Sequence, residues 1–445
     1  MKTDKITRLS CEFEKCQKLV YALVCLPAMF SGMQMFSTVF TLFIPKHRCS
    51  IPEIDNDTYK VQGHWHEIIT NRSIPLVKGD DDMFDYAECE MFETNQNTTY
   101  NSLNRPINTS TIKCNKWVYD NFAFDETFIT KENLVCEREI ARANANMIYM
   151  SGVLTGAIAT GIFSDMGAIT MQKKIIQKWT TSNENLPENN SRKDAQDTMG
   201  TESVLKMLTI PTLLIRTLIM HLNWCVVTMV NFGLTLNIGN LKGDVYVNFA
   251  ITSSMELIAY TVCFFTLNKL GRKVLHASTM ILCGVACLST IFTMWYADKS
   301  LYWITVVLTN IGKLGVAAAH GIIYLWCAEE LFPTKVRNSG MGSSTMIAFV
   351  GSMVSPYIAD LEKYIHGRFG KVLPPIVLGS LSVLAGLLSL VLPETNGRIL
   401  PETVLDAVKF GKDDLGSKDT PSTVYYINDA FNKDKDTSEE NKTGQ

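Results

Sequence analysis

Two ionisable residues inside long apolar runs are the strongest candidates for chemistry in this 445-residue chain. Glu256 lies midway along the run 245–267, and Lys313 lies near the middle of the run 301–328. A charged side chain is costly in hydrocarbon, so each must face the protein interior or a water-filled cavity. The two residues either pair as a structural contact or bind a solute or coupling ion, and one pair can do both.

Aromatic residues occupy the same apolar runs and can hold an organic cation by cation–π attraction. The alternative is that these rings contact lipid or neighbouring helices, which is the commoner role of aromatic residues in membrane spans. The rings in question are Trp224, Tyr246, Tyr260, Tyr324 and Trp326.

Sequence signatures of enzymes are missing: the chain has no phosphate-binding loop, no His-Glu-x-x-His and no Gly-x-Ser-x-Gly. We therefore expect no enzymatic activity, no cofactor and no metal. His221 and His320 are single histidines among apolar residues, for which packing is the favoured role. Cys283 and Cys287 lie one helical turn apart, and core packing is favoured over a metal pair.

The elements that must position these residues are predicted from apolar runs long enough to cross about 30 Å of hydrocarbon. Eight such runs predict an all-α, polytopic membrane protein whose partner is the lipid bilayer. No basic face with interleaved aromatic residues is present, which excludes nucleic-acid binding. The predicted spans are 19–45, 146–163, 217–236, 245–267, 277–296, 301–328, 340–359 and 374–392.

Basic residues in short loops orient the spans, because cytoplasmic loops carry an excess of Lys and Arg. Lys335 and Arg337 place their loop inside, as do the loop 268–273 and the basic leader 1–18. The segment 360–371 is the one exception to this charge bias. It carries three basic residues, but the order of the spans places it outside. Both termini are therefore expected in the cytoplasm, and the plasma membrane is the expected location.

A long polar segment, 46–142, follows the first span and is predicted to be an extracellular loop. Four glycosylation sequons agree with an outside placement, although Asn-rich stretches also form sequons by chance. An even number of cysteines in an oxidising compartment favours two disulfides among three possible pairings. The acceptors are Asn56, Asn71, Asn97 and Asn108, and the cysteines are Cys49, Cys89, Cys114 and Cys136.

The remaining polar segments complete the expected division of the chain. The linker and the tail are both expected in the cytoplasm, and the composition of the tail predicts disorder. The predicted parts are the leader 1–18, the first span 19–45, the loop 46–142, the second span 143–164, the linker 165–206, a six-helix half 207–395 and the tail 396–445.

Several motifs along nearly the whole chain resemble the organic cation, carnitine and organic anion transporters of the major facilitator superfamily. In the loop they are His47-Arg48-Cys49, Cys114 to Asp120 and Thr130 to Cys136. Later in the chain they include Asn223-Trp224, Gly233 to Asn237, Gly271-Arg272-Lys273, Glu330 to Thr334 with Arg337-Asn338, and Leu392 to Thr395. The resemblance implies conformational corner motifs at Asp165, Gly271, Arg272, Lys273, Glu330 and Arg337.

The chain departs from this family in its first half. Family members have twelve spans in two six-helix halves, but here Asp165 is followed by Met166 and Gly167, and the chain passes almost directly to a basic segment. Family spans three to six are therefore expected to be absent, which leaves a major-facilitator-like fold with an incomplete N-terminal half. Removal of an even number of spans keeps later segments in their original orientation.

The resemblance implies transport of small organic ions by alternating access. At the position of Phe349, cation-selective relatives tend to carry Asp and other relatives Arg. An uncharged ring there gives no indication of substrate charge, so Glu256 alone favours cations over carnitine-like zwitterions or anions. Two other readings are a non-transporting, shortened product that associates with full-length homologues and, less favoured, a receptor. The candidates for contact with substrate or coupling ion are Glu256, Lys313, Phe349, Trp224, Asn231 and Tyr324.

Overall fold

The computed structural model describes residues 15–78, 84–93, 106, 110–182, 209–237, 244–296, 302–326, 337–361, 365, 368–396, 407–408 and 410. Several predictions lie outside these residues, namely most of the leader, Asn97, Asn108, Glu330 and nearly all of the tail. The long helices are α1 (Lys15–Thr41), α4 (Ile140–Ser182), α5 (Pro211–Leu236), α6 (Val245–Leu270), α7 (Arg272–Tyr296), α8 (Tyr302–Leu325), α9 (Arg337–Ala359) and α10 (Arg368–Ser389). Two short helices, α2 (His64–Ser73) and α3 (Phe128–Glu132), lie between α1 and α4.

The prediction of an all-α membrane protein is confirmed by helices that are long and apolar enough to cross a bilayer. The described residues contain five of them by length and composition: Pro211–Leu236, Val245–Leu267, Arg272–Met294, Trp303–Leu325 and Val372–Ser389. The helices α1, α4 and α9 occupy the other three predicted positions. The number of eight spans stays a prediction.

Helix α4 differs from the expected division of the chain. We expected a span that ends near residue 164 and a linker after it, but the helix continues without interruption to Ser182. Beyond the apolar part, the segment that contains Ile175, Ile176 and Trp179 has helical periodicity, which is compatible with this extension. Asp165 therefore lies within a helix and not at a corner between two elements.

The six helices α5 to α10 pack against one another and form the main body of the described part. Helix α7 packs on α8 and α10, α5 packs on α9, α10 and α8, and α6 packs on α8. The core of this body is apolar and includes the fully buried Met220, Met280 and Val316. Of the first two long helices, α4 contacts the body through α9.

The segment between α1 and α4 is a small folded loop built from short antiparallel strand pairs. Strand β1 (His47–Cys49) pairs with β6 (Trp117–Tyr119), so two motifs about seventy residues apart lie side by side. The other pairs are β2 (Leu76–Lys78) with β3 (Phe84–Tyr86), and β4 (Glu90–Phe92) with β5 (Thr111–Lys113). Disulfides join Cys49 to Cys114 and Cys89 to Cys136, which selects one of the three possible pairings.

A buried charged group holds the first part of this folded loop. The Arg48 guanidinium donates to both carboxylate oxygens of Asp57, at 2.9 and 2.6 Å, and the two side chains are 0 % and 3 % exposed. The Gln62 amide donates to His66 Nδ1, so His66 Nε2 carries the proton and donates to Asp57 at 3.0 Å. Burial alone would raise the pKa of Asp57, but hydrogen bonds from Arg48 and the Ile51 amide hold it below the ordinary value of 3.8.

We expect the folded loop to lose stability in acid because of Asp57. A carboxylate whose pKa is depressed in the folded state contributes its full stabilisation above about pH 4 and loses it as the pH falls through the folded-state pKa. Asp57→Asn should therefore destabilise the loop by about 3 kcal/mol at neutral pH and flatten the acid limb of the stability profile. Thermal unfolding followed between pH 7 and pH 2 measures both effects. An unchanged acid limb in the variant would contradict the assignment.

Two of the predicted glycosylation acceptors lie in the described part of the folded loop. Asn56 is exposed, in a left-handed turn with φ of 61°, as an acceptor must be. Asn71 is half-buried, and its Oδ1 accepts a hydrogen bond from the Tyr86 hydroxyl at 3.3 Å. Use of either sequon stays a prediction.

A cluster of aromatic rings joins the folded loop to α1 and α6. Phe40 of α1 lies 4.9 Å from Phe249 and 5.9 Å from Tyr246, both on α6, and 6.3 Å from Phe124 of the loop. The Tyr246 hydroxyl also donates to the Ala123 carbonyl at 3.3 Å. The loop is therefore attached to the ends of the helices through ring contacts, and we call this end of the bundle the loop end.

Candidate functional site

The structure brings the two intramembrane charges together. Lys313 Nζ on α8 lies 2.6 Å from Glu256 Oε1 on α6, and the two side chains are 2 % and 17 % exposed. A pair at this distance offsets the desolvation that each charge suffers inside the bundle. The more exposed partner is the carboxylate, which leaves it as the member of the pair that a solute can reach.

Helix α5 supplies the remaining contacts of the lysine. Lys313 Nζ donates to Asn231 Oδ1 at 2.6 Å, to Thr235 Oγ1 at 2.6 Å and to the Asn231 carbonyl at 3.2 Å. The ammonium group has three N–H donors, so all of them have acceptors without any ligand. Sequence reasoning named Asn231 but missed Thr235, although the two residues are one helical turn apart and share a face.

An aromatic surface lies further along the same two helices, toward their other end. The Trp224 ring of α5 lies 5.4 Å from the Tyr324 ring and 6.3 Å from the His320 ring, both of α8. Trp224 is almost fully buried, whereas Tyr324 is half exposed. Tyr260, one turn after Glu256, packs against α8 at Gly321. A Cβ added to Gly321 would lie 3.0 Å from the Tyr260 ring, so the glycine makes room for the ring.

Other aromatic residues from the predicted pocket lie elsewhere. Tyr246 belongs to the cluster with Phe40 and Phe124 at the loop end, and Trp326 is fully buried with its ring 5.9 Å from that of His276. Phe349 is half-buried on α9, and it follows Ala348, whose carbonyl accepts a hydrogen bond from Thr228 of α5. The aromatic surface therefore consists of Trp224 and Tyr324, with the His320 ring against Trp224.

Single histidines and the cysteine pair in the helices lie in packed surroundings. His221 Nε2 lies 3.0 Å from the Ser343 hydroxyl, which joins α5 to α9. Cys283 and Cys287 are buried on α7, where an added Cβ at Gly312 would lie 3.3 Å from the Cys287 sulfur. In the described part of the chain, only His47, Cys89 and Cys136 converge with metal-ligand spacing, and the two sulfurs form a disulfide.

The Gly271-Arg272-Lys273 motif meets the Leu392-to-Thr395 motif, a contact that the sequence did not predict. Glu394 accepts hydrogen bonds from the amides of Arg272 at 3.0 Å and Lys273 at 3.1 Å, at the N-terminus of α7. A carboxylate is favoured there because the first helical amides have no partner within the helix. Gly271 has a φ of 82°, and an added Cβ would lie 2.7 Å from Glu394 Oε2.

We expect Glu394→Ala to destabilise the protein by about 1 to 2 kcal/mol, because the amides that begin α7 lose their cap. Glu394→Gln keeps an acceptor oxygen and should cost less than half as much. Thermal unfolding of the purified protein in detergent compares the two variants. Equal losses of stability in the two variants would show that the Glu394 carboxylate acts through its charge alone. No loss of stability in either variant would contradict a capping role for Glu394.

Two other predicted corner residues belong to other helices. Asp165 lies inside α4, and Arg337 begins α9. Glu330 is outside the described residues.

Comparison with known proteins identifies relatives over most of the chain. The chain is 28 % identical to the "Organic cation transporter protein" of Drosophila melanogaster, over 92 % of this chain and 95 % of the relative. Two others match over shorter stretches, both at 37 % identity. They are "Organic cation transporter 1" of Caenorhabditis elegans, over 49 % of this chain and 36 % of the relative, and human "Organic cation/carnitine transporter 2", over 41 % and 31 %.

The alignment with the fly protein also bears on the length of this chain. It runs over 543 positions, more than the 445 residues of this chain, so the relative contains stretches without a counterpart in this chain. The family model described as "Sugar (and other) transporter" matches residues 148–404, which is more than half of the chain. The resemblance noted from the motifs is therefore confirmed, and the chain is a member of the sugar (and other) transporter family and not an enzyme.

Proposed function

We propose that this protein moves small organic ions across a membrane by alternating access, with organic cations as its preferred substrates. The observation that carries the proposal is the Glu256–Lys313 pair, in which the carboxylate is the more exposed partner. An organic cation that approaches Glu256 competes with Lys313 for the carboxylate. The lysine keeps acceptors at Asn231 and Thr235 while the substrate takes its place.

The aromatic surface supports a cation as the partner of Glu256. Trp224 and Tyr324 are large rings on the same two helices that hold Lys313 and its acceptors, and a ring face attracts a cation at distances up to about 6 Å. An anion would find no free cation in the pair, since Lys313 is paired with Glu256 and its three N–H donors have acceptors at Asn231 and Thr235. The names of the relatives, which are organic cation and organic cation/carnitine transporters, agree with this choice.

Uptake into vesicles tests the proposal directly. The purified chain is reconstituted into liposomes, and uptake of labelled tetraethylammonium, carnitine and benzoate is compared. We expect saturable uptake of tetraethylammonium, weaker uptake of carnitine, and none of benzoate. Glu256→Gln should abolish saturable uptake of the cation. Absence of saturable flux for all three solutes, with the protein shown to be inserted in the vesicles, would refute transport by this chain alone.

A second candidate function is association with full-length homologues by a chain that does not transport. The stretches that the fly relative has and this chain lacks favour it, since in the described part only two long helices, α1 and α4, precede the six-helix body. Sequencing the messenger RNA across the codons for residues 167 to 171, and comparing it with the gene, separates the two candidate functions. A genomic region between these codons that encodes four more spans favours the shortened product. Co-purification with a full-length relative tests the association itself.

The plasma membrane is the proposed location, with both termini in the cytoplasm. The basic residues Lys269, Arg272 and Lys273, where α6 ends and α7 begins, support this orientation. Tags at each end, probed in intact and permeabilised cells, test it. Antibody access to either tag in intact cells would reverse the assignment of that terminus.

A further inference from the structure

A cavity of about 170 Å³ lies at the loop end of the bundle, and neither Glu256 nor Lys313 is among its lining residues. It is bounded by the end of α1, the beginning of β1, the folded loop and the first turn of α4. Part of its wall is apolar, from residues such as Val39 and Leu236. The polar part of its wall consists of Lys46, His47, Glu88, Glu139 and Arg142. Both signs of charge therefore line one small space.

Arg142 is the first unusual group in this cavity. It is 8 % exposed, and its recorded contact is one 3.5 Å approach of Nη1 to Asp360 Oδ1 at the end of α9. A guanidinium carries five N–H donors and binds a carboxylate best through two short, parallel hydrogen bonds. A single contact at 3.5 Å is long for a charged hydrogen bond, so the buried guanidinium retains capacity for a second carboxylate.

His47 is the second such group, and it offers an acceptor. Its Nδ1 lies 3.1 Å from the Pro45 carbonyl, which can only accept, so Nδ1 carries the proton of the neutral ring. The nearest recorded neighbour of Nε2 is the Cys136 sulfur at 3.9 Å, and that sulfur has no proton because it is bonded to Cys89. His47 is buried, at 5 % exposed, and no donor among the described residues contacts its Nε2.

We propose that this cavity is a binding site for a small zwitterion that carries one carboxylate and one ammonium group. The carboxylate binds the Arg142 guanidinium, and the ammonium group binds Glu88 and donates to His47 Nε2. The two ends of such a ligand match the two signs of charge in the wall, whereas a simple cation or anion satisfies one of them. The volume suits a molecule well below drug size, since drug-sized pockets measure about 300 Å³ or more.

This site is independent of the proposed transport function, because it shares no residue with the pair on α6 and α8. Its walls come from α1, the folded loop and α4, together with the end of α5. A ligand can bind there whether or not the chain completes a transport cycle. The experiment therefore measures binding at equilibrium and not flux.

Three linear probes of similar length distinguish the contributions of the two charged ends to binding: 4-aminobutanoate, butanoate and butylamine. Binding of each to the full chain in nanodiscs is measured by displacement of labelled 4-aminobutanoate. We expect 4-aminobutanoate to bind at least roughly tenfold more tightly than either singly charged probe, because each charged hydrogen-bonded contact contributes about that factor or more. Equal affinity for all three probes, or no binding of any, would overturn the proposal.

Variants at Arg142 and Asp360 distinguish ligand binding from a purely structural ion pair. Arg142→Gln should weaken 4-aminobutanoate binding at least roughly tenfold. Asp360→Asn removes the same ion pair but frees the guanidinium, so affinity should stay the same or rise. If Arg142 serves only to hold α4 to α9, both variants should weaken binding equally, and that result would overturn the assignment.

Glu88→Gln provides a test that does not depend on a buried residue, since Glu88 is exposed. It should weaken 4-aminobutanoate binding several-fold and leave butanoate binding unchanged. Glu67→Gln, on the exposed side of α2, serves as the surface control and should change neither. Equal effects of Glu88→Gln on 4-aminobutanoate and butanoate would contradict the placement of the ammonium group.

Discussion

Lys313→Met should destabilise the protein by about 3 to 5 kcal/mol. The substitution leaves the Glu256 carboxylate, 17 % exposed, without its partner at 2.6 Å, and an uncompensated charge inside the bundle carries a penalty of this size. It also leaves the acceptor oxygens of Asn231 and Thr235 without the lysine donor. Thermal and denaturant unfolding in detergent measure the loss of stability.

The double variant Lys313→Met/Glu256→Gln is the matched control for this result. Removal of both charges should restore most of the lost stability, because no buried charge then lacks a partner. It should abolish saturable uptake of a cation, because the carboxylate that binds the cation is absent. A double variant whose loss of stability equals the sum of the two single losses would show that the residues do not interact.

The second large effect is expected from the disulfides of the folded loop. Replacement of Cys49 and Cys114 by serine should reduce the stability of the loop by about 4 kcal/mol, since this bridge closes 65 residues and stabilisation grows with the length of the closed segment. The Cys89–Cys136 bridge closes 47 residues and should contribute about as much. Limited proteolysis of the loop under native conditions, with and without reductant, measures the effect.

Cys25→Ser controls for the loss of a thiol as such, because Cys25 is an exposed free cysteine on α1. It should leave the proteolysis pattern unchanged. Peptide mapping under non-reducing conditions tests the pairing itself. Recovery of peptides that link Cys49 to Cys89 or to Cys136 would contradict the arrangement in the structure.

Apolar runs predicted the positions of the helices of the main body closely. The run expected at 245–267 corresponds to α6, and the run expected at 340–359 corresponds to α9. A run of about twenty apolar residues is a strong signal because every backbone group in hydrocarbon must be paired within a helix or a closed barrel. The spacing of Ile175, Ile176 and Trp179 indicates a helix after residue 164, but its continuity with the span could not be predicted, because the polar residues between them interrupt the apolar run.

Contacts between distant segments were beyond the reach of the sequence. Gly271 and Glu394 belong to two separate motifs in the sequence. Their contact depends on how α7 and α10 pack. The pairing of β1 with β6 likewise depends on two three-residue strands, too short for their register to be read from an alternation of apolar and polar residues. The chain does not encode such contacts in any local pattern.

The candidate transport site was predicted in part. Glu256 and Lys313 were identified because charges are rare in apolar runs, and their contact required only that α6 and α8 be neighbours. Thr235 was missed because a threonine in a span is unremarkable until its partner is known. Tyr246 and Trp326 were grouped with Trp224 by residue type alone, and residue type cannot tell which end or face of the bundle a ring occupies.

The length of α4 has a mechanical consequence. Its 43 residues span about 65 Å at 1.5 Å per residue, roughly twice the thickness of the hydrocarbon layer. Because the helix begins at the loop end, we expect its last turns to extend beyond the hydrocarbon layer on the opposite side. A protein that bound these last turns would therefore act on the earlier turns of α4 through one continuous helix.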